Sequence, residues 1–126
     1  MELRIDENSL TPIYVQIADA IEEDILNNKL SEENTCYSQL IIAKELKVNP
    51  ATAAKGINLL VSRTILEKQR GQAMTVTLGA KAKIMERKKQ TDFEDKIDEI
   101  VRIAKRLELS EDYVLNKISE YYKEAR

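Results

Sequence analysis

The stretch Asn49–Leu78, NPATAAKGINLLVSRTILEKQRGQAMTVTL, changes its apolar period halfway along, and that change decides the fold. Asn49-Pro50 is a helix start. The Asn side chain can accept from the first backbone N–H groups, and proline stands where its missing N–H costs nothing. A helix through Ser62 then has Ala54, Ile57, Leu60 and Val61 on its inner face. Ala51, Thr52, Lys55, Asn58 and Ser62 lie on its outer face. From residue 64 the period becomes alternating. Ile65–Gln69 reads as a strand, Arg70-Gly71-Gln72 as a turn and Ala73–Leu78 as the returning strand. Met74, Val76 and Leu78 point one way along it, Thr75 and Thr77 the other.

Upstream, Ser38 caps a shorter helix with an apolar stripe of Ile42, Ala43 and Leu46, broken at Lys47-Val48. Thr11-Pro12 repeats the cap-plus-proline signal. Ile13, Ile17, Ala18, Ile21 and Ile25 follow at helical spacing, with Gln16, Asp19, Glu22 and Glu23 on the opposite, solvated side. That helix ends near Asn27-Asn28, and residues 29–37 form a polar connection. The first ten residues, with Leu3 and Ile5 alternating, suit an edge strand or a loose arm. Downstream of Gly79 the pattern is helical to about Leu107, opening with the basic run Lys81–Lys89. It carries a stripe of Phe93, Ile97, Ile100, Val101, Ala104 and Leu107. Ser110 caps a last helix bearing Tyr113, Val114, Leu115, Ile118, Tyr121 and Tyr122. The fold class is mainly α with a small β-hairpin: a helix-turn-helix unit with a hairpin over residues 1–78, then a helical tail over 79–126.

Three Gly, two Pro and six aromatics in 126 residues favour helix over a loop-rich or aromatic-rich fold. No stretch reaches the roughly 20 apolar residues that span a bilayer. The acidic start MELRIDENSL is unlike a secretory leader, and Cys36 is the lone cysteine, so a cytoplasmic location is expected. The net charge of −2 hides a strong asymmetry. Residues 1–37 hold 2 basic and 9 acidic side chains, residues 38–90 hold 11 and 3, and residues 91–126 hold 7 and 10. A central block of net +8 between acidic flanks can hold phosphate whatever the total says.

Helix, helix, tight turn, helix and hairpin make a familiar physical device: a projecting helix of a width that the DNA major groove admits, beside a hairpin that reaches neighbouring phosphates. Asn49 opens the projecting helix with N–H groups facing outward, a candidate phosphate site. Thr52 and Lys55 lie one turn apart on the outer face. Lys68, Arg70 and Gly71 supply two cations and a residue that permits close backbone approach at the hairpin tip. Gly56 costs a helix about 1 kcal/mol relative to alanine, which points to close helix packing ahead of backbone approach to DNA.

Residues 12–76 resemble the GntR-family winged helix-turn-helix domain. VNPATAAKGINLLVSRTILEKQRGQAMTV is similar to the recognition helix and wing of the YtrA-type subgroup, and Pro12-Ile13-Tyr14-Val15-Gln16-Ile17 matches that subgroup's usual opening. The resemblance implies DNA contacts from Ser38, Asn49, Thr52, Lys55, Arg70 and Gly71. It also implies a two-helix dimerisation tail in place of a large effector domain, and repression of a transporter operon or of the protein's own gene. Several positions depart from the family pattern. Tyr37-Ser38 stands for Pro-Ser, and Leu40 for a phosphate-holding cation that Arg63 could replace. Lys47 stands for the glycine of the turn, Arg63-Thr64 for an acidic-glycine pair before the wing, and Ala73 for the second wing glycine.

The expected partners are double-stranded operator DNA and a second copy, through Phe93, Ile97, Ile100, Ala104 and Leu107, with no membrane. Catalysis is not expected: there is no histidine, no phosphate-binding glycine loop and no metal-ligand spacing, and no cofactor or metal is implied. Cys36 reads as a small buried hydrophobe or as an oxidant sensor. The sequence leaves open a winged-helix module that binds protein rather than DNA.

Overall fold

The computed structural model describes residues 3–68 and 73–125. The chain forms two compact units, Met1–Glu86 and Arg87–Arg126. In order, the first holds α1 (Ile13–Leu26), α2 (Gln39–Leu46), α3 (Pro50–Ser62), β1 (Leu66–Lys68) and β2 (Met74–Val76), followed by the start of α4 (Ala80–Lys88). A π-helical segment, Lys89–Glu94, interrupts what the sequence suggests is one long helix; α5 (Asp95–Arg106) and α6 (Glu111–Glu124) follow.

The core of the first unit is aliphatic. Ile17, Ile21, Ile42, Leu60, Ile65, Leu66, Val76 and Ile84 are fully buried together. Ala80 and Ile84 of α4 belong to this core, which is why the unit runs on to Glu86. Three helix starts are readable from sequence. Ser38 Oγ accepts from Ile41 N at 3.1 Å, Asn49 Oδ1 from Ala51 N at 2.8 Å and Ser110 Oγ from Tyr113 N at 3.1 Å. The fourth differs. Thr11 does not cap α1. Pro12 is itself the last non-helical residue, with φ −55° and ψ 145°, and no side chain caps the helix. Gln16 instead reaches back from the first turn. Its Nε2 donates to Thr11 O and Asp6 O, both at 2.9 Å, and its Oε1 accepts from Asp6 N at 2.6 Å. The preceding segment is therefore an arm tied to α1, with Leu3 buried, and not a strand.

β1 and β2 pair antiparallel in the register Leu66↔Val76, Glu67↔Thr75 and Lys68↔Met74. The supposed polar connection before α2 contributes to the same ladder. Glu33 N donates to Val76 O at 2.7 Å, Val76 N to Asn34 O at 2.9 Å and Cys36 N to Met74 O at 2.8 Å, with a bridge between Thr35 and Thr75. With partners on both edges, β2 buries more than one face. Thr75 and Thr77 are buried, whereas Leu78, expected to share a face with Val76, is 72% exposed beyond the strand's end.

The face of α3 that packs inward is also rotated from the expected one. Ala53, Gly56, Ile57 and Leu60 are buried, while Val61 is exposed and Ala54 half-buried. Gly56 explains the rotation, because α3 crosses α1 there at very short range. A Cβ on residue 56 would sit 2.9 Å from Ile17 Cγ2 and 3.1 Å from Tyr14 O. In the second unit only Ala104 is buried among the described residues; Phe93, Ile100, Val101, Leu107, Leu115 and Tyr122 are exposed.

Gly56→Ala sets a helix-propensity gain of about 1 kcal/mol against overpacking of roughly 1–3 kcal/mol, because the colliding atoms are a backbone oxygen and a β-branched methyl. We expect a net loss of about 1 kcal/mol in urea unfolding. A variant as stable as the parent would show that α1 and α3 separate easily.

Candidate nucleic-acid interface

The outer surface of α2 and α3 is built from short, capped helices joined by a tight turn. Lys47 closes α2 in the left-handed region, with φ 55° and ψ 45°, and its N–H donates to Ala43 O. Gln39 Nε2 donates to Pro50 O at 3.1 Å, joining the starts of the two helices. Ser38 and Asn49 thus stand at the N-termini of two tied helices. The N–H groups at the start of α3 are already engaged: Ala51 N with the Asn49 side chain, and Thr52 N and Ala53 N with Asn49 O at 2.9 and 3.2 Å. What the α3 terminus offers an anion is the helix dipole and side chains, not the spare donors anticipated from the cap signal.

Lys55 and Asn58 are exposed on α3 and Thr52 is half-buried. The Lys55 ammonium lies 5.9 Å from the centroid of the Tyr14 ring. Lys68 is exposed at the end of β1, paired across the hairpin with Met74. Arg70 and Gly71, the sequence-based choices for the tip, lie outside the described residues. Lys44 and Lys47, which motif reading passed over, are exposed on α2 and in the turn; their position beside the turn was the available signal.

Two expectations about charge are corrected. Arg63 does not stand in for the cation missing at Leu40. Its Nη1 lies 3.1 Å from Glu22 Oε1 and 3.3 Å from Asp19 Oδ1, and its side chain is only 22% exposed. Glu22, assigned to a solvated face, is completely buried. Helical phase alone placed it outward, and the cation it meets is 41 residues away in sequence. Leu40 itself is 73% exposed, with Ile41 beside it, so the start of α2 presents apolar surface where the family pattern has a cation.

Other polar groups hold the scaffold. Tyr37, in the position of the family's proline, donates its hydroxyl to Asp24 Oδ2 at 2.6 Å and ties the connection to α1. Glu32 accepts from Gly79 N at 2.8 Å and Lys81 N at 3.1 Å, serving as a remote cap for α4. These two backbone hydrogen bonds hold its carboxyl below the usual range. Cys36 is buried, and burial pushes its thiol up to about 12, so it stays protonated and inert near neutrality.

In the second unit α5 and α6 line two open apolar grooves. The larger is about 420 Å³, with Ile97, Ile100, Val101, Val114 and Leu115 on its walls; the other is about 240 Å³, with Ile103, Tyr113 and Tyr121. Among the described residues, no helix is long and apolar enough to cross a membrane.

This arrangement is a winged helix-turn-helix domain followed by a helical tail. No protein-family model matches the sequence, and no curated protein does either. Solved structures do match. YtrA from Sulfolobus acidocaldarius, a GntR-family transcription factor, is 36% identical, with a TM-score of 0.57. The match covers 60% of this chain and 80% of that one. A protein from Bacteroides thetaiotaomicron described as a GntR-family transcriptional regulator is 27% identical over 89% of this chain and 97% of its own, with a TM-score of 0.77. The AraR DNA-binding domain, solved in complex with operator ORX1, shares the fold at 22% identity and a TM-score of 0.51, over 61% of this chain and 92% of that one. The chain belongs to the GntR family.

Replacing Arg63 removes a charged partner of a fully buried carboxylate. We expect Arg63→Met to lower unfolding free energy by about 3 kcal/mol, and Glu22→Leu combined with Arg63→Met to recover most of that loss. Urea titrations of the single and double variants check this. An unchanged midpoint in the single variant would show that the pair contributes nothing.

Proposed function

We propose that the chain is a sequence-specific transcriptional regulator that binds double-stranded operator DNA as a homodimer and represses its own operon or that of a transporter. The observation that carries this reading is the outer face of α3. Lys55 and Asn58 are exposed there with Thr52 half-buried among them, on a helix held by α1 and α2 and followed at once by the β1–β2 hairpin. The helix lies in the part of the sequence, residues 38–90, that carries a net charge of +8, and Lys44 and Lys47 are exposed on the neighbouring helix and turn. Family membership and the operator-bound AraR fold support the same reading.

Thr52 and Lys55 approach base edges, whereas Lys68 and Arg70 of the wing meet phosphate or the minor groove, with Ser38, Asn49 and Gly71 along the flanking backbone. Base contacts specify and phosphate contacts position. Thr52→Ala should therefore narrow the gap between operator and scrambled duplex by about 1–3 kcal/mol. Arg70→Ala should weaken both by similar factors and reduce the salt slope by about one unit for each phosphate that is no longer neutralised. Titrations against the DNA upstream of the chain's own gene, at several salt concentrations, decide the matter. Salt-insensitive or absent duplex binding would favour the protein-interaction module instead.

The tail supplies the second copy. Phe93, Ile100 and Leu107 leave apolar area exposed on α5 and its flanks, and Ile97 and Ala104 face the larger groove. Contiguous exposed apolar surface of this kind marks an interface. A twofold dimer would present two α3 helices to half-sites about one DNA turn, or a multiple of it, apart. Sedimentation at micromolar concentration should show a dimer; a monomer with the tail intact overturns this part of the proposal.

A further inference from the structure

We infer that Tyr14 is a positioning residue for DNA binding: its ring seats the Lys55 ammonium on the outer face of α3. The inference rests on the DNA-binding reading above and adds to it a residue on a different helix.

The geometry begins with Gly56. Because that residue has no side chain, the first turns of α1 lie so close to α3 that a Cβ would meet Tyr14 O at 3.1 Å. The same approach brings the half-buried Tyr14 side chain beside Lys55, the neighbour of Gly56, and leaves the ammonium 5.9 Å from the ring centroid. That is within the range in which the negative face of an aromatic ring attracts a cation. An exposed lysine on a bare helix samples many rotamers and must be ordered when it meets a phosphate or a base edge. A ring on one side of the ammonium restricts that sampling and leaves its other side open to an anion. Tyr14 itself is held from behind, since its helix is tied to the N-terminal arm through Gln16 and to α3 through Arg63.

The test is a double-mutant cycle on the full chain, read by duplex affinity and salt slope, with unfolding midpoints as controls. Tyr14→Leu should weaken operator binding by about two- to five-fold per recognition helix. Tyr14→Phe, which keeps the ring, should restore it. In a Lys55→Ala background, Tyr14→Leu should have no further effect. Equal losses in both backgrounds would show that Tyr14 acts only through the fold, and no loss in either would show that it does not act at all. Each result overturns the inference. The free protein gives an independent readout that needs no variant to fold: the Lys55 ε-methylene protons should show an upfield ring-current displacement in NMR spectra. Unshifted ε-methylene protons in the parent protein also overturn the inference. A parent protein that binds duplex DNA with an uncoupled Tyr14 and Lys55 overturns this inference alone. One that binds no duplex overturns the proposed function together with it.

Discussion

Contact between α1 and α3 governs the first unit, and it is made in two chemically different ways. At Gly56 the helices meet backbone to side chain, with no room for a methyl group. Farther along both helices, Arg63 reaches Asp19 and the buried Glu22. Close packing at Gly56 fixes how near the helices come and which face of α3 turns inward. The ion pair, with one buried member, adds a second constraint of a different kind. Bringing Glu22 out of water is costly, and only a cation in the right place offsets it. The close crossing and the ion pair together set the position of α3 on α1. The first strand of the hairpin starts three residues after Arg63.

The charge asymmetry of the sequence acquires a structural meaning from these contacts. An acidic segment ahead of a basic block would ordinarily weaken the field that the block sets up. Yet Asp19 and Glu22 answer Arg63, Asp24 accepts from Tyr37, and Glu32 caps α4. Four of the nine acidic residues in that segment are thereby committed to internal partners. The acidic flank is in good part scaffold chemistry.

Much of this was legible in the sequence where the signal is local. Ser38, Asn49-Pro50 and Ser110 announce helix starts because a cap is made within three residues, and the shift from helical to alternating period reveals the hairpin. What failed to show was non-local. Glu22 reads as solvated until Arg63 is brought to it, and Arg63 reads as a spare cation for the same reason. Residues 33–36 lack strand character of their own and join the ladder only because β2 offers an unpaired edge. The rotation of α3 toward Ala53 and Gly56 was hidden because small residues leave little apolar signal, although they are what allows close approach. Thr52, Lys55 and Lys68 could be placed near the surface from phase and hairpin position, but the Tyr14 ring beneath Lys55 depends on an interhelical distance.

Lys47 and Thr64 adopt φ values of 55° and 61°, in the left-handed region that best suits glycine. In the folded protein a side chain in this region costs roughly 1–2 kcal/mol. The same side chains also narrow the range of conformations open to the unfolded chain, whereas glycine would widen it by about 0.5–1 kcal/mol. These opposing effects act on different states, and the folded-state cost is the larger, by about 0.5–1 kcal/mol at each turn. Each of these turns is therefore held in shape by the structure around it, against the preference of its own residue.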